Sequence, residues 1–207
     1  RPSITIDARK CFIVGARLYI ADGLCTLRIF DITNPNNITQ LGKVGVPGAI
    51  EGVYVRDTFA YLSAMMAGLR IINVRNPASP FEVGYYAPGH VYYDVMVSGN
   101  YAYCVASARG LRVINVSNPS SPTEVGFYDS PGVAKGIAVS GNWAYVADGS
   151  AGGLRVVDIT NPASPQPRGM YDSPGEALKC RLFGNYIFLC DGSGGLRVVN
   201  ITNPDNP

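Results

Sequence analysis

The sequence repeats itself five times at a nearly constant spacing. A Leu-Arg dipeptide followed by Ile or Val begins at residues 27, 69, 111, 154 and 196, so the intervals are 42, 42, 43 and 42 residues. Seven residues after each Leu stands an Asn-Pro dipeptide, at 34, 76, 118, 161 and 203. This constant register indicates one structural module copied five times, and periods near 40 residues are typical of β-propeller blades.

Each module reads as four short strands. In the third copy, residues 82–86 precede a Pro-Gly turn, and residues 93–98 have the period-two pattern of a strand. A Gly-Asn pair separates this strand from residues 101–106, and such a pair favours a tight hairpin. Residues 111–116 form the last strand, which ends where two prolines interrupt the ladder because proline has no amide proton.

Four antiparallel strands in every module, with no helical pattern, predict an all-β fold. One such sheet cannot bury both faces, whereas modules stacked face to face around an axis can. We therefore predict a five-bladed β-propeller of four-stranded antiparallel blades, with the 93–98 strand innermost and the 82–86 type outermost. The chain is one domain, 1–207, with approximate modules at 1–38, 39–80, 81–122, 123–165 and 166–207.

The two ends of the sequence bear on ring closure. The fifth module lacks its outermost strand, and residues 1–6 could supply it and close the ring. Ile4 and Thr5 stand where the other copies have Pro-Gly, and β-branched residues suit a strand. The candidate strand falls a few residues late, so an arc of a larger propeller is an alternative to the closed ring.

The fourth-strand motif carries a family resemblance. It reads Leu-Arg-Val-Val-Asp at 154–158, with close variants in the other copies, and Gly-Asn-Trp-Ala-Tyr-Val-Ala-Asp precedes it at 141–148. These motifs resemble the LVIVD-repeat family along essentially the whole chain. The resemblance implies a propeller found mostly in exported or cell-surface proteins of bacteria and archaea. It implies no reaction.

Composition excludes some classes of partner. The formal net charge is +2 and the basic residues are dispersed, which argues against nucleic acid. No apolar run approaches the roughly 18 to 20 residues of a membrane-spanning helix. The sequence begins with Arg1, which leads us to expect a processed precursor or a trimmed fragment. The 13 tyrosines suit protein contacts, and carbohydrate is another partner that aromatic side chains serve.

Binding residues are expected in the Pro-Gly segments before the inner strands and in the loops between the second and third strands, which differ most between copies. These loops are 22–26, 63–68, 106–110, 148–153 and 191–195. The candidate ligand- or partner-binding residues, in or beside them, are Met65, Met66, His90, Arg109, Asp148 and Asp191. Tolerated loop variation is the alternative explanation. The two aspartates begin glycine-rich turns that resemble calcium loops but lack further carboxylates, so no metal site and no cofactor are expected.

The remaining reactive residues form no recognisable catalytic set. His90 is the only histidine and has no companion nucleophile motif. The five cysteines form no Cys-x-x-Cys pair, although a disulfide between Cys180 and Cys190 is an alternative to buried thiols. The five motif arginines are expected to have a structural role, pairing with loop carboxylates such as Asp22, Asp148 and Asp191 or with main-chain carbonyls of the next blade. An anion-binding crown is the alternative.

These observations favour a non-catalytic binding or scaffolding propeller that mediates protein contacts or assembly. We expect it to be extracellular, at the cell surface or periplasmic. The alternative is a hydrolase or carbohydrate-active enzyme that uses the axial cleft, which needs two converging carboxylates. Glu51, Asp94 and Glu176 are the candidates because they lie near the starts of inner strands.

Overall fold

The computed structural model describes residues 6–207, and residues 1–5 lie outside the described part. Within residues 6–207 there are nineteen strands, a helix α1 at Gly149–Gly152 and a 3-10 turn at Gly192–Gly194. In that part of the chain no helix is long and apolar enough to cross a bilayer. The chain divides into two compact units, Arg1–Tyr92 with Asn118–Pro122, and Tyr93–Ser117 with Thr123–Pro207.

The first unit contains two four-stranded antiparallel sheets whose strands pair in chain order. The first sheet consists of β1 (Ala8–Val14), β2 (Arg17–Asp22), β3 (Thr26–Asp31) and β4 (Thr39–Gly45). The second consists of β5 (Gly52–Arg56), β6 (Phe59–Ser63), β7 (Leu69–Asn73) and β8 (Phe81–Tyr86).

The second unit contains three antiparallel sheets. The third sheet of the chain consists of β9 (Asp94–Ser98), β10 (Tyr101–Val105), β11 (Leu111–Asn115) and β12 (Thr123–Tyr128). The fourth consists of β13 (Gly136–Ser140), β14 (Trp143–Ala147), β15 (Leu154–Asp158) and β16 (Gln166–Tyr171). The fifth has three strands among the described residues, β17 (Lys179–Phe183), β18 (Tyr186–Cys190) and β19 (Leu196–Asn200).

The predicted five-bladed, all-β propeller of antiparallel blades is confirmed, as is the strand order within a blade. Strands predicted around the third copy begin and end within one residue of the observed bounds. In each complete sheet the outermost strand comes from the start of the following sequence module. For example, β12 opens the predicted module 123–165 but pairs with β11 of the third sheet. The predicted closing strand at 1–6 falls almost wholly outside the described residues.

Two successive Asx turns build the connection from the third to the fourth strand. Oδ1 of Asp31 accepts a hydrogen bond from the backbone N–H of Thr33 (2.7 Å), and Oδ1 of Asn34 accepts one from Asn36 (3.0 Å). The same pair of turns recurs in every copy, at Asn73 and Asn76, Asn115 and Asn118, Asp158 and Asn161, and Asn200 and Asn203. The repeated Asp/Asn and Asn-Pro positions therefore satisfy backbone donors locally.

Neighbouring sheets pack through their apolar faces within each unit. In the first unit, Leu27 and Ile29 of β3 share a buried cluster with Val53 of β5. In the second unit, the same two motif positions of the third and fourth sheets lie in buried clusters with residues of β13 and β17. The Leu-Arg-Ile/Val motif is conserved between copies in this sequence because alternate residues of the strand form the contact with the next sheet.

A glycine in each outermost strand allows close approach of the next Asn-Pro loop. A Cβ atom on Gly42 of β4 would meet the carbonyl oxygen of Pro77. The equivalent pairs are Gly84 with Pro119, Gly126 with Pro162, and Gly169 with Pro204. None of these four glycines has a positive φ, so the requirement is steric. Each loop is thereby packed against the sheet that precedes it.

The cysteines lie in the described part of the chain, and each carries a thiol. Cys180 is buried and Cys190 is exposed, on opposite faces of the fifth sheet. The alternative of a disulfide between them is therefore wrong, because side chains on opposite faces of a sheet point apart. Burial raises the pKa of the Cys104 thiol well above its usual value, with smaller contributions from Asp94 and Glu124.

Candidate functional site

The variable loops are joined to the Pro-Gly segments of the next module. Three of the loops between the second and third strands make an isolated antiparallel bridge to the residues before the next inner strand. The bridges are Met65 with Tyr92 (N to O 3.1 Å), Ser107 with Ala134 (3.0 Å) and Gly149 with Ala177 (3.1 Å). These three loops are therefore held by backbone hydrogen bonds to the segment before the next inner strand.

The first of these bridges places two predicted binding segments side by side. Met65 has a left-handed backbone with φ 48° and its carbonyl oxygen accepts the hydrogen bond from Tyr92. His90 is two residues from that contact and is partly exposed, while the Met66 side chain is 59% exposed. The structure thus brings Met65, Met66 and His90 into one region of the first unit.

Arg109 lies in the corresponding loop of the second unit. Its side chain is exposed, and its carbonyl oxygen accepts a hydrogen bond from Nη2 of Arg112 (2.8 Å). The backbone N–H of Arg109 donates to Ala106 (2.9 Å), which closes the turn. The loop therefore presents a guanidinium group on a hydrogen-bonded turn.

Asp148 and Asp191 occupy equivalent positions and are fully buried. Asp191 accepts hydrogen bonds from Oγ of Ser173 (2.6 Å) and from the backbone N–H of Gly175 (3.0 Å). Asp148 accepts the same pair of hydrogen bonds from Ser130 and Gly132. Both carboxylates therefore hold a Ser-Pro-Gly segment in place, and their contact with a ligand stays a prediction.

Burial raises the pKa of Asp148 above its usual value. Hydrogen bonds from Ser130 and Gly132 and the charge of Arg155 oppose that rise without cancelling it. Asp22, the counterpart in the first sheet, has the opposite shift. Burial alone would raise its pKa. Hydrogen bonds from Arg28 (2.8 Å) and the Leu24 N–H (3.0 Å), together with the charge of Arg28, lower the pKa by more than burial raises it.

These opposite shifts predict opposite pH trends for two substitutions. For Asp22, a depressed folded-state pKa stabilises the fold above the unfolded-state pKa, and that contribution is lost as pH falls through the folded-state pKa. The stability deficit of Asp22→Asn relative to wild type should therefore shrink on acidification below 3.8. For Asp148, with a raised pKa, wild type should instead gain stability relative to Asp148→Asn on acidification. Urea unfolding across this pH range measures both trends, and parallel trends would contradict the assignment.

The motif arginines pair with carboxylates in all five copies, and three of them pair with the expected loop aspartates. Arg28 pairs with Asp22 (2.8 Å), Arg155 with Asp148 (3.7 Å) and Arg197 with Asp191 (3.6 Å). Arg70 and Arg112 instead pair with carboxylates on or just after the outermost strand, Glu82 (3.3 Å) for Arg70, and Glu124 (3.6 Å) and Asp129 for Arg112. The five arginines thus share a structural role.

Arg70 and Arg112 also stack on exposed aromatic rings. The guanidinium carbon of Arg70 lies 4.6 Å from the ring centroid of Tyr85, and that of Arg112 lies 4.6 Å from the centroid of Phe127. Both arginine side chains are more than nine-tenths buried, whereas Tyr85 is 57% exposed and Phe127 is 54% exposed. Each ring is therefore held on a fixed cationic support.

A groove runs beside each of these aromatic residues. In the second unit a cavity of about 410 Å³ is lined by 124–127 of β12 and 163–166 of the following loop. In the first unit one of about 420 Å³ is lined by 82–85 of β8 and 120–122. We name them the outer grooves. Sequence reasoning missed them, although Glu-Val-Gly-Tyr-Tyr at 82–86 and Glu-Val-Gly-Phe-Tyr at 124–128 mark both.

Lysines pair with two of the carboxylates considered for catalysis. Nζ of Lys135 lies 2.6 Å from Glu176, and Nζ of Lys179 lies 3.9 Å from Asp94. Lys179 also donates to the carbonyl oxygen of Lys135 (3.0 Å), so one charged network crosses the starts of three inner strands. Glu51 lies in the first unit, 4.0 Å from Arg9. Residues 6–207 hold no group of three or more His, Cys, Asp or Glu side chains placed for a metal ion.

Several solved structures share the fold at low identity. The computationally designed Ika8 protein is 13% identical, with a TM-score of 0.72 over 95% of this chain and 59% of its own. The designed Ika4 protein is 16% identical, with a TM-score of 0.61 over 76% and 94%. A functionally unknown protein from Desulfotomaculum acetoxidans DSM 771 is 14% identical, with a TM-score of 0.70 over 96% and 71%. The chain thus spans about three fifths of Ika8.

The family comparison follows the sheets one by one. No curated protein matches the chain. The LVIVD repeat matches residues 7–45, 47–87, 89–130, 131–173 and 174–207. Each sheet, with its outermost strand, lies within one matched segment. The chain therefore belongs to the LVIVD-repeat family.

Proposed function

We propose that this protein is a non-catalytic binding or scaffolding module that contacts a protein partner through its outer grooves. The observation that carries the proposal is the supported, half-exposed aromatic ring in each groove, Tyr85 on Arg70 and Phe127 on Arg112. Aromatic and arginine side chains supply much of the binding energy at protein interfaces. A ring that is already held in place loses little side-chain entropy on binding.

The polar lining of the grooves suits the same kind of partner. In the second-unit groove, Glu124 is paired with Arg112, so the charges at its edge are already compensated. Ser164 and Gln166 on the opposite side are exposed hydrogen-bonding groups. Such a surface combines an apolar anchor with a polar rim, as protein interfaces do. Met65, Met66, His90 and Arg109 stay predicted contacts of the same partner at the loops.

A site-specific photo-crosslinker tests the groove. With the crosslinking residue at Ser164, incubation with a cell-envelope extract of the source organism should yield one discrete adduct. The same residue at Asn142, exposed in the β13–β14 hairpin, should not yield that adduct. Excess unlabelled wild-type chain should suppress the adduct at least about tenfold, as expected for a saturable site.

Matched competitors decide whether the aromatic residue matters. Phe127→Ala should fail to suppress the adduct, whereas Met170→Ala should suppress it as wild type does. Met170 is 49% exposed and occupies the same position on β16, so it controls for loss of an exposed apolar side chain. Equal suppression by both variants, or an adduct that wild type does not suppress, would refute the proposal. A glycan adduct lost with Phe127→Ala would assign the groove to carbohydrate.

We further propose that the protein acts outside the cytoplasm, as the family resemblance implies. The low charged fraction of 15% and the 13 tyrosines are compatible with a surface role. An antibody against the chain should detect it in periplasmic, surface or secreted fractions of the source cells, alongside a cytoplasmic marker as control. Recovery only with that marker would refute this placement.

A further inference from the structure

The outermost strand of each complete sheet is an edge strand, because it pairs with a neighbour on one side only. Such an edge presents backbone N–H and C=O groups to any further strand, and proteins block it with proline or with charged side chains, lysine above all. The four described edge strands of this kind are β4, β8, β12 and β16. All four share one register shift, so a bulge does not distinguish them.

These strands differ in the residues that block an edge. Strand β4 carries the exposed Lys43, and β16 contains Pro167, which has no amide proton to offer a further strand. Strand β8 reads Phe-Glu-Val-Gly-Tyr-Tyr at 81–86, without proline and without a basic residue. At the register positions of Pro167 and Lys43 it has Glu82 and Tyr85. The edge of β8 is therefore not blocked in either way.

The hydrogen bonds of β7 show which backbone groups of β8 face away from the sheet. The N–H of Val74, just after β7, donates to the carbonyl oxygen of Thr58, just before β6 (2.8 Å). Alternate residues of an antiparallel strand bond to opposite neighbours. Ile72 and Arg70, two and four residues before Val74, therefore bond to β6 and leave their partners in β8 without a ladder hydrogen bond.

Those partners are Glu82, opposite Ile72, and Tyr85, opposite Arg70. Their backbone N–H and C=O groups therefore point outward from the edge. Among residues 6–207 no loop residue forms a backbone hydrogen bond with Tyr85. The side chains of Phe81 and Tyr85 on the same strand are 56% and 57% exposed. The edge of β8 thus combines outward backbone groups with exposed aromatic side chains.

We propose that the edge of β8 binds an extended segment of the partner protein as a further strand. The inference rests on the proposed function and deepens it, because it states the conformation of the partner at the first-unit outer groove. An extended polypeptide offers the alternating N–H and C=O groups that match such an edge. Side chains on one face of that segment contact Tyr85 and enter the groove between 82–85 and 120–122.

Selected peptides and two variants of Glu82 test the edge. A random nonapeptide library displayed on phage is selected on the immobilised wild-type chain, and enriched peptides are synthesised as probes for fluorescence anisotropy. Glu82→Pro should weaken their binding about five- to tenfold, because it removes one outward amide proton. Glu82→Gln keeps that proton and should bind at least about threefold more tightly than Glu82→Pro. Equal affinity of the two variants overturns the proposal.

Both substitutions have precedents at the same register position in this chain. Pro167 stands there in β16, so the sheet accommodates proline. Gln40 stands there in β4, and it accepts a hydrogen bond from Arg28 (3.3 Å). Glu82 accepts the corresponding hydrogen bond from Arg70 (3.3 Å). The glutamine variant is therefore matched for the contact with the motif arginine.

Methylation of single peptide amides tests strand pairing on the wild-type chain and does not depend on how a variant folds. A strand bonds to one neighbour through every second residue. Methyl groups on alternate amides should therefore each weaken binding at least about fivefold, and those on the intervening amides should have a smaller effect. A uniform loss or no loss overturns the proposal, as does a library that yields no binding peptide.

Tyr85→Ala separates this inference from the proposed function. If alternate methylation matters but Tyr85→Ala binds the peptides as wild type does, strand pairing is supported and the aromatic anchor is refuted. If Tyr85→Ala loses binding but methylation shows no alternation, the groove binds without strand pairing and the inference is overturned. A dimer of the purified chain that Glu82→Pro dissociates in sedimentation velocity would assign the edge to a second copy and also overturn it.

Discussion

Leu154→Ala should lower the free energy of unfolding by about 2 to 5 kcal/mol, whereas Leu196→Ala at the same motif position should lower it by under about 0.5 kcal/mol. Leu154 is fully buried between the fourth and fifth sheets, so truncation leaves a cavity that the surrounding sheets cannot fill. Leu196 is 63% exposed and loses little packing. The two residues share their local sequence and differ in what covers them.

Urea denaturation followed by the fluorescence of Trp143, the single tryptophan, measures both effects. Trp143 lies on β14 and packs against the cluster that contains Leu154. Similar losses for the two variants would contradict the difference in burial between Leu154 and Leu196.

Gly126→Ala should lower the free energy of unfolding by about 1 to 3 kcal/mol, because the added methyl group overpacks a site that is already filled. A Cβ atom at this position would meet the carbonyl oxygen of Pro162 and backbone atoms of Ala163 at 2.8 and 2.9 Å. Backbone atoms cannot rotate away as a flexible side chain can, so β12 and the loop must separate. Gly126 and Ala163 both line an outer groove, so the groove should also widen.

Gly45→Ala is the matched control for this steric effect. Gly45 also lies on an outermost strand without a positive φ, but a Cβ there would have only an ordinary contact, 3.8 Å from the Cys25 carbonyl oxygen. We expect no loss, or a gain of up to about 1 kcal/mol from the smaller entropy of the unfolded chain. Calorimetric melting of both variants compares them, and equal destabilisation would show that strand glycines matter for another reason.

The strands were predictable because their signals are local. Alternation at 93–98, the Gly-Asn hairpin after it and the prolines after 116 fix three boundaries within one residue. The pairing of Arg28, Arg155 and Arg197 with loop aspartates was also predictable, since both partners recur together in the sequence. Local motifs repeated five times leave little freedom in the fold of one module.

The candidate site depends on packing that sequence position does not show. The outer grooves form between a strand and a loop that follows nearly 40 residues later, so neither segment reveals them alone. Asp148 and Asp22 stand at equivalent motif positions, yet their pKa values shift in opposite directions. Burial raises both, but it prevails only at Asp148, whereas at Asp22 the hydrogen bonds, including a close one from Arg28, and the charge of Arg28 outweigh it. Such differences arise from side-chain geometry.

The origin of each outermost strand has a consequence for how such chains grow. Since β12 belongs to the third sheet but follows the Asn-Pro motif, a gene segment cut at that motif carries three strands of one sheet and the outermost strand of the sheet before it. If such a segment were duplicated, its first strand would pair with the sheet of the preceding copy, as β12 pairs with β11. Modules divided at the Asn-Pro motif are thus offset from the sheets, whereas the matched family repeats coincide with them. Every module divided in this way is joined by backbone hydrogen bonds to the sheet before it.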